Sequence, residues 1–346
     1  MDGPQPGTAE PRAARPGEAP PGAAQRALRR VDDLQRRTPI LAFPVAVTKK
    51  FGDDKGGQLA ALIAYYGFFS LFPLLLVFAT IVAIVVRDDP TLQRALLDSA
   101  LRQFPVVGTK IGKSVQQLSG SPLTLGVGIV GAVWSGTAVV TAAQFAMDEV
   151  WDVPRAERPA LWRRALRALA LLVVFAVAIV ATATFAGVRD GDGLTDAALE
   201  IVAGVALLVL SAALFAFAFR VLTVAPLRWR DVLPGAIVAA IAWGGLLLLG
   251  SWIVDRQIRD ASQAYGFFAI VIGLLTWIFL VAQVFVVAAE INVVRARRLW
   301  PRSLVAPPRR EQDRRSLAAQ AEEERATPEE RIEVRFPRSP NDAGVS

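Results

Sequence analysis

Six long stretches without aspartate, glutamate, lysine or arginine dominate the pattern of apolar and polar positions along the chain. Each is 19 to 28 residues long, and together they make up about 41% of the 346 residues. An α-helix needs about 20 apolar residues to cross a hydrocarbon core about 30 Å thick. The stretches are continuously apolar rather than alternating, which favours helices over barrel strands. The predicted spans are 59–86, 122–145, 168–188, 201–219, 232–254 and 264–289.

This pattern predicts an all-α polytopic membrane protein, with a bundle of six transmembrane helices in residues 59–300. In lipid the backbone must satisfy its own hydrogen bonds, which leaves helices as the fold of such segments. A fold that is soluble in water is excluded. Pro73 lies in the middle of the first span, where its missing N–H group predicts a kink.

Lysine and arginine residues near the ends of the spans predict the orientation. Counted along the chain, 15 of them fall on the side that holds both termini and eight on the other side. Because loops that stay in the cytoplasm are enriched in lysine and arginine, we predict that both termini are cytoplasmic.

The segments outside the spans differ from them in composition. Residues 1–28 are rich in proline, alanine and glycine and predict a disordered cytoplasmic tail. Residues 29–58 mix apolar and basic positions, which is typical of an interfacial amphipathic segment on anionic lipid headgroups. Pro39 and Pro44 argue against one continuous helix there. Residues 301–346 carry charges of both signs and predict a largely disordered cytoplasmic tail.

The first loop on the predicted exoplasmic side, residues 87–121, is long and contains two amphipathic helical patterns. Pro105 and Gly108 separate the two patterns. The two short helices either cap the bundle or dip back into it, and the sequence leaves both arrangements open.

The chain contains no cysteine and no histidine, and its formal charge is +7. These absences exclude disulfides, cysteine nucleophiles, Ser-His-Asp triads and histidine-ligated zinc. We therefore predict no catalytic residues, no metal and no cofactor, and a protein that is not an enzyme. The asymmetry of basic loops already explains the positive charge, so nucleic-acid binding is not predicted.

Several short motifs lie in or beside the spans. They are Ala64-Tyr65-Tyr66 with Ser70-Leu71-Phe72-Pro73; Trp134-Ser135; Trp229-Arg230-Asp231 with Pro234-Gly235-Ala236; and Tyr265-Gly266, Leu275-Thr276-Trp277-Ile278 and Ala289-Glu290-Ile291-Asn292. In combination these motifs resemble the YihY/virulence factor BrkB family of bacterial inner-membrane proteins, over about residues 40–297. One departure is Met147-Asp148-Glu149-Val150-Trp151, where many relatives have Leu-Asn before the aromatic residue.

The resemblance implies an integral protein of the bacterial inner membrane with six spans and no settled molecular activity. The family is linked to serum resistance and was long labelled ribonuclease BN. A metal-dependent nuclease of the metallo-β-lactamase kind needs clustered histidine ligands. A chain without histidine cannot use that mechanism.

Polar residues in and near the spans are the candidates for a site. Glu290, just after the sixth span, is expected either to pair with Arg220 or Arg295 as a structural clamp or to line a polar vestibule. Tyrosine, serine and threonine side chains in the spans either line a cavity or form hydrogen bonds between helices. The candidate cavity or structural residues are Tyr65, Tyr66, Ser70, Pro73, Trp134, Arg220, Tyr265, Thr276, Glu290 and Asn292.

Two functions remain open from the sequence. One is a transporter-like protein that translocates a lipid or small solute of unknown identity. The other is a membrane scaffold that recruits envelope machinery and transports nothing. The predicted partners are the lipid bilayer, anionic lipid headgroups that contact the basic segments, and either a second copy of the chain or envelope proteins.

Overall fold

A computed structural model describes residues 39–85, 122–189, 197–257, 266–303 and 311–336. The described residues form eight α-helices and one short 3₁₀ turn, and they contain no strand, so an all-helical architecture is confirmed for this part of the chain. The helices are α1 (Pro39–Asp53), α2 (Gly56–Val85), α3 (Pro122–Val150), α4 (Leu161–Arg189), α5 (Ala197–Leu222), α6 (Trp229–Gln257), α7 (Gly266–Arg297) and α8 (Glu311–Glu323).

Five helices in the described residues are long and apolar enough to cross a membrane, and they lie in α2, α3, α5, α6 and α7. The third predicted span, 168–188, lies in α4, which has three arginines among its first seven residues and is not among these five. The count of six spans therefore stays a prediction. The five segments are Gly56–Leu74, Gly128–Val150, Ile201–Leu222, Trp229–Gly250 and Val271–Arg297.

Helices α2 and α3 form the most extensive pair in the bundle. Pro73 lies inside α2, which continues as one helix to Val85. A Cβ atom at Gly131 of α3 would lie 3.4 Å from the Cβ atom of Pro73. Because Gly131 has no side chain, the backbone of α3 can lie close to the ring of Pro73.

Helix α7 is the centre of the bundle, because it packs against α1, α2, α3 and α6. It makes a close contact with α6 at Gly235. A Cβ atom there would lie only 2.1 Å from the carbonyl oxygen of Ala288, and the Gly235 N–H group donates a 2.7 Å hydrogen bond to Oδ1 of Asn292. The Pro234-Gly235-Ala236 motif near the start of α6 therefore contacts the Ala289-Glu290-Ile291-Asn292 motif of α7.

Helix α1 differs from the predicted broken interfacial segment. It is continuous through Pro44, and Pro39 occupies its first position, where a helix has no partner for an N–H group. Its buried face includes Ala42, Ala46 and Lys50, which lie one helical turn apart and face α7. Packing on the bundle, rather than amphipathic composition alone, determines the position of α1.

The C-terminal tail also differs from the prediction of a largely disordered segment. Residues 311–323 form α8, and Asp313 and Ser316 on this helix are buried. Ion pairs of α8 with the bundle, such as Asp313 with Lys49 and Glu323 with Arg158, hold this segment in place. The composition of the tail gives no sign of these long-range pairs.

Some predictions concern residues outside the described ranges. They are the N-terminal tail and the start of the interfacial segment (1–38), the two arrangements of the loop 87–121, and the candidate residue Tyr265.

Candidate functional site

Charged side chains are buried at the end of the bundle where α2 and α6 begin and α3 and α7 end. Lys50 and Glu290 are both fully buried. Charged residues so deep in a protein are unusual unless they are paired or functional. We call this group the Lys50 cluster; it comprises Lys50, Asp54, Asp152, Glu290 and Arg297.

Lys50, near the end of α1, is the centre of the cluster. Its Nζ atom donates hydrogen bonds to Asp54 Oδ2, to the carbonyl oxygen of Val150 at 3.2 Å and to Asp152 Oδ1 at 3.3 Å. An ammonium group has three protons, so these three acceptors match its donors. Lys50 thereby joins α1 to the end of α3, 100 residues away.

Asp152 has an unusual backbone conformation, with φ at 46°. It follows α3 in a Schellman arrangement, in which its N–H group donates to Glu149 O and the Val153 N–H group donates to Asp148 O at 2.8 Å. Glycine usually takes this left-handed position, since a Cβ atom is unfavourable there. The aspartate at this position supplies a carboxylate. Its Oδ1 atom accepts a hydrogen bond from Lys50, and its Oδ2 atom accepts one from Arg297 Nη1 at 2.5 Å.

Glu290 lies in the last part of α7 and, unlike the other residues of the cluster, makes no hydrogen bond in the part of the chain that the structure describes. Neither of its carboxylate oxygens has a hydrogen-bond donor among the described residues. The charged groups that act on it most strongly are Lys50, Asp54 and Asp152. No ion pair of Glu290 with Arg220 or Arg295 is present in the described ranges, and Arg220 bonds the carbonyl oxygen of Leu227 instead.

Burial and charge act in opposite directions on the cluster residues outside the spans. Burial by itself lowers the pKa of Lys50, but Glu290, Asp152 and Asp54 together raise that pKa above its ordinary value. Burial raises the pKa of Asp54, although Lys50 and a hydrogen bond from Gln320 act against the increase. Lys50 therefore stays charged in the cluster.

A second group of ion pairs connects the C-terminal helix α8 to this end of the bundle. Lys49 Nζ lies 2.8 Å from Asp313 Oδ1, and Arg302 Nε lies 3.1 Å from the same oxygen. Arg302 also pairs with Asp53 at 2.9 Å. Farther along α8, the Gln320 amide donates to Asp54 Oδ1 at 3.0 Å, so α8 contacts the Lys50 cluster directly.

A third group lies where α8 ends. Arg158 donates to Glu149 Oε1 at 3.1 Å and to Glu323 Oε1 at 2.6 Å. Burial raises the pKa of Glu323 to about 8, and a hydrogen bond with Glu149 and the charges of Glu149 and Asp152 add to the increase, while Arg158 opposes it. Beside this group, Arg164 Nη2 lies 2.9 Å from Asp148 Oδ2.

The raised pKa of Glu323 predicts that docking of α8 weakens as the pH rises. Glu323 is protonated when docked but ionised near pH 7 when undocked, so this contribution to docking falls as the pH rises above about 4.5 and is lost by about pH 8. A spin label on Arg315→Cys would be at a unique cysteine. We expect its mobile fraction to increase between about pH 5 and about pH 8 and to change little above that range. In Glu323→Gln the increase should be much smaller, and an equal increase in both proteins would contradict this explanation.

Several candidate residues in α2, α3 and α7 lie on the outer surface of the bundle rather than between helices. Trp134 is 82% exposed and Tyr65 is 56% exposed, and Tyr66 and Thr276 are also exposed. The Ser70 hydroxyl donates to the carbonyl oxygen of Gly67 in its own helix. The structure therefore does not bring this polar set together at one site.

Arg220 and Asn292 have structural contacts. Arg220 Nη1 donates to Leu227 O at 3.0 Å, and its guanidinium group lies 4.7 Å from the centre of the Trp229 ring. These contacts hold the turn between α5 and α6. The Oδ1 atom of Asn292 accepts a hydrogen bond from the Gly235 N–H group. Of the two roles predicted for the candidate residues, Asn292 therefore has the structural one, in the contact between α6 and α7.

Sequence reasoning missed Lys50, Asp54, Asp152 and Arg297 as site residues. It counted Lys50 and Arg297 as basic residues facing the cytoplasm. A signal was available, since each of the four lies within a few residues of a span end, where the antiparallel helices bring such positions together. In the described ranges, no group of acidic residues has the arrangement needed to hold a metal ion.

Comparison with known proteins identifies the family. The model of the virulence factor BrkB family matches residues 47–313, which is most of the chain and includes every residue of the Lys50 cluster. The chain belongs to the BrkB family. The resemblance found in its motifs is therefore confirmed, and this BrkB-family protein is an integral inner-membrane protein.

Curated relatives agree with this assignment. A UPF0761 membrane protein of Stenotrophomonas maltophilia strain R551-3 is 28% identical over 260 residues, which cover 70% of this chain and 58% of the relative. The chain thus matches less than two thirds of that relative's length. Inner membrane protein YhjD of Escherichia coli K12 is 22% identical over 72% of this chain and 79% of its own length.

A further relative carries a different name. The ribonuclease-like protein YfkH of Bacillus subtilis strain 168 is 24% identical over 75% of this chain and 96% of its own length. No solved structure matches this BrkB-family protein.

Proposed function

We propose that this BrkB-family protein translocates a small solute or lipid across the bacterial inner membrane, with the Lys50 cluster at the cytoplasmic end of the path. One observation supports this proposal above the others. Glu290 and Asp148 are fully buried acidic residues within membrane-length helices. Ionisable groups in spans are costly, about 2.5–3.5 kcal/mol on insertion scales, and they usually mark ion or substrate paths.

The proposed cytoplasmic location of the cluster follows from the distribution of basic residues. The end of the bundle that holds the cluster also holds the arginines around α4, α6 and α7. Two exposed tryptophans at this end carry arginines over their rings, namely Trp162 with Arg163 at 5.1 Å and Trp229 with Arg220. Such pairs suit a membrane interface, and we propose that their arginines contact anionic lipid headgroups.

The proposal includes a role for α8, which contacts the cluster through Gln320 and is held beside it by the ion pair of Asp313 with Lys49. Its contacts with the bundle include ion pairs and polar hydrogen bonds, and salt weakens the partly exposed ones, such as the pair of Lys49 with Asp313. We propose that α8 is a removable cover at the cytoplasmic end of the path.

A scaffold is the second candidate function, and the ordered tail supports it. Residues 311–336 are held against the bundle by contacts that include a 3.0 Å hydrogen bond from the Ala156 N–H group to Arg325 O. Such a docked segment offers a surface of defined shape to envelope proteins or to a second copy of the chain. We propose no catalytic activity, and therefore no ribonuclease activity, for either function.

Reconstitution tests translocation directly. Proteoliposomes containing phosphatidylglycerol with a fluorescent headgroup label would be treated with dithionite, with and without protein, and solute flux would be followed with entrapped fluorescent dyes. We expect faster loss of inner-leaflet fluorescence or faster solute release with the wild type, and a rate reduced about tenfold or more by Glu290→Gln. Glu311→Gln, an exposed glutamate on α8, is the matched control and should keep the wild-type rate.

The outcome separates the two candidates. Equal rates for wild-type vesicles and vesicles without protein, across the lipid and solute probes, would contradict translocation. If tail variants such as Glu323→Gln then changed binding of envelope proteins while the bundle stayed folded, the scaffold would be favoured.

A further inference from the structure

We infer that Lys49, Arg302 and the backbone N–H group of Ser303 form an oxyanion-binding site. Its occupant in this structure is the carboxylate of Asp313 on α8, which acts as a tethered ligand. The external ligand that fits the same donors is a molecule with a phosphate group. This inference goes beyond the proposed function and stands whether or not the protein transports anything, because it concerns only the contact of α8 with the bundle.

Three donors converge on the carboxylate of Asp313. Lys49 Nζ donates to Asp313 Oδ1 at 2.8 Å, and Arg302 Nε donates to the same oxygen at 3.1 Å. The Ser303 N–H group donates to the other oxygen, Oδ2, at 3.0 Å. Lys49 also donates to the carbonyl oxygen of Ser303, which fixes its ammonium group against the segment after α7. An ammonium, a guanidinium and a backbone N–H group directed at one anion are typical of carboxylate and phosphate sites.

The site is built into the bundle rather than formed by loose surface side chains. The side chain of Arg302 is only 2% exposed, and Asp53 orients it through an ion pair with its Nη2 atom at 2.9 Å. A guanidinium group that is already held in place loses little conformational entropy when it binds an anion. Lys49 keeps 28% of its side chain exposed, so one side of the site is open to solvent.

The charge balance of the site favours an anion in the place of Asp313. Lys49 and Arg302 carry two positive charges, and Asp53 supplies one negative charge beside Arg302. Removal of the Asp313 carboxylate would therefore leave one net positive charge. It would also take an acceptor away from buried donors, which is unfavourable unless another acceptor replaces it.

A phosphate group can replace the carboxylate at these donors. Its oxygens accept hydrogen bonds as carboxylate oxygens do, and near neutral pH a phosphate monoester carries more negative charge than a carboxylate. Either a soluble phosphate or the headgroup of an acidic lipid would supply this chemistry.

The tether of the present occupant determines how an external anion competes with it. Ser303 and Asp313 are ten residues apart in the chain, and the carboxylate lies in the first turn of α8. A ligand on so short a tether competes at an effective concentration of about a millimolar or more. A phosphate-bearing molecule that overcomes this competition displaces Asp313 and so releases the start of α8 from the bundle.

Equilibrium dialysis with radiolabelled inorganic phosphate tests the site on the full-length protein in detergent, at fixed pH and ionic strength. We expect Asp313→Ala to bind about one phosphate per chain, at least about tenfold more tightly than the wild type, because the tethered competitor is gone. Adding Arg302→Gln to Asp313→Ala should abolish this gain. Adding Arg155→Gln, which alters an exposed arginine outside the site, is the matched control and should preserve it.

A second variant and a second readout keep the test decisive if Asp313→Ala does not fold. Asp313→Asn keeps the shape of the side chain without its charge and should show the same gain in affinity. In the protein with a spin label at Arg315→Cys and an intact Asp313, phosphate that saturates the wild-type site should increase the mobile fraction of the label. Chloride at equal ionic strength should not do so.

Nanodiscs distinguish the two sources of phosphate. If acidic lipid reaches the site, phosphatidic acid in phosphatidylcholine nanodiscs should weaken the binding of free phosphate by Asp313→Ala by about tenfold or more. If the ligand is a soluble phosphate, the affinity should be the same with and without phosphatidic acid. Either result supports the site and identifies the source of its ligand.

Three results would overturn the inference. The first is phosphate binding by Asp313→Ala and Asp313→Asn that is no tighter than binding by the wild type. The second is a gain in affinity that persists after Arg302→Gln, since the anion would then bind elsewhere. The third is a spin label that responds equally to phosphate and to chloride, because α8 would then be released by ionic strength rather than by an anion at this site.

Discussion

Replacing Lys50 by methionine is expected to lower the free energy of unfolding by about 3–5 kcal/mol, since removing one partner of a buried ion pair leaves the other charge without compensation. Lys50 is fully buried, and its ammonium group bonds Asp54, Asp152 and the carbonyl oxygen of Val150. Methionine has a similar length but no donor, so three acceptors would be left unsatisfied. Unfolding in mixed micelles, followed by tryptophan fluorescence, measures the change.

Lys55→Met provides the control for this prediction. Lys55 is exposed and lies just beyond the end of α1, so the loss of its charge should change the free energy of unfolding by less than about 0.5 kcal/mol. Equal effects of the two substitutions would show that Lys50 does not hold the helices together.

Replacing Gly235 by alanine is expected to destabilise the protein by about 3 kcal/mol or more, or to abolish its folded yield. The added Cβ atom would lie 2.1 Å from the backbone oxygen of Ala288 and 2.6 Å from both terminal atoms of the Asn292 side chain. A backbone atom of a packed helix cannot move away at low cost, so α6 and α7 would have to separate. The hydrogen bond from Gly235 to Asn292 would then be lost.

Gly244→Ala is the matched control, since Gly244 lies in the same helix and a Cβ atom there would meet nothing within 4 Å. Alanine is favoured over glycine in a helix by about 0.8–1.0 kcal/mol, so this variant should be at least as stable as the wild type. Fluorescence-detected size-exclusion chromatography after heating would compare the two variants. A Gly235→Ala protein that survives heating as well as Gly244→Ala would contradict the close contact.

The membrane-spanning helices could be predicted because their signal is local. A continuous apolar run contains all the information needed to recognise a span, and five of the predicted spans coincide with membrane-length helices. The fourth predicted span, 201–219, shows this best, since the corresponding segment Ile201–Leu222 is the most apolar of the five and the least buried inside the bundle.

The ionic cluster could not be predicted in the same way, because its partners are distant in the chain. Lys50 and Asp152 are 102 residues apart, and Arg297 and Asp152 are 145 apart. Each looks like an ordinary charge beside a span until the packing of α1 and α3 against α7 is known. From the sequence, Lys50 is therefore only one of the basic residues predicted on the cytoplasmic side, although its side chain is fully buried.

The tail illustrates the same limit. Its composition of mixed charges is typical of a solvated segment, and the partners that order it, such as Lys49 and Arg158, lie more than 160 residues earlier. The Gly235–Asn292 contact is intermediate: both residues belong to motifs that the sequence singled out, but only the structure shows that these motifs meet.

The central claim of this account is that a buried ionic cluster around Lys50 joins the helix ends of this BrkB-family protein. A double-mutant cycle between Lys50→Met and Asp152→Asn tests it most directly, because the two residues are in contact only through the fold. We predict a coupling energy of about 1–3 kcal/mol, with the double variant losing less stability than the sum of the single variants. Additivity within about 0.3–0.5 kcal/mol would contradict the claim.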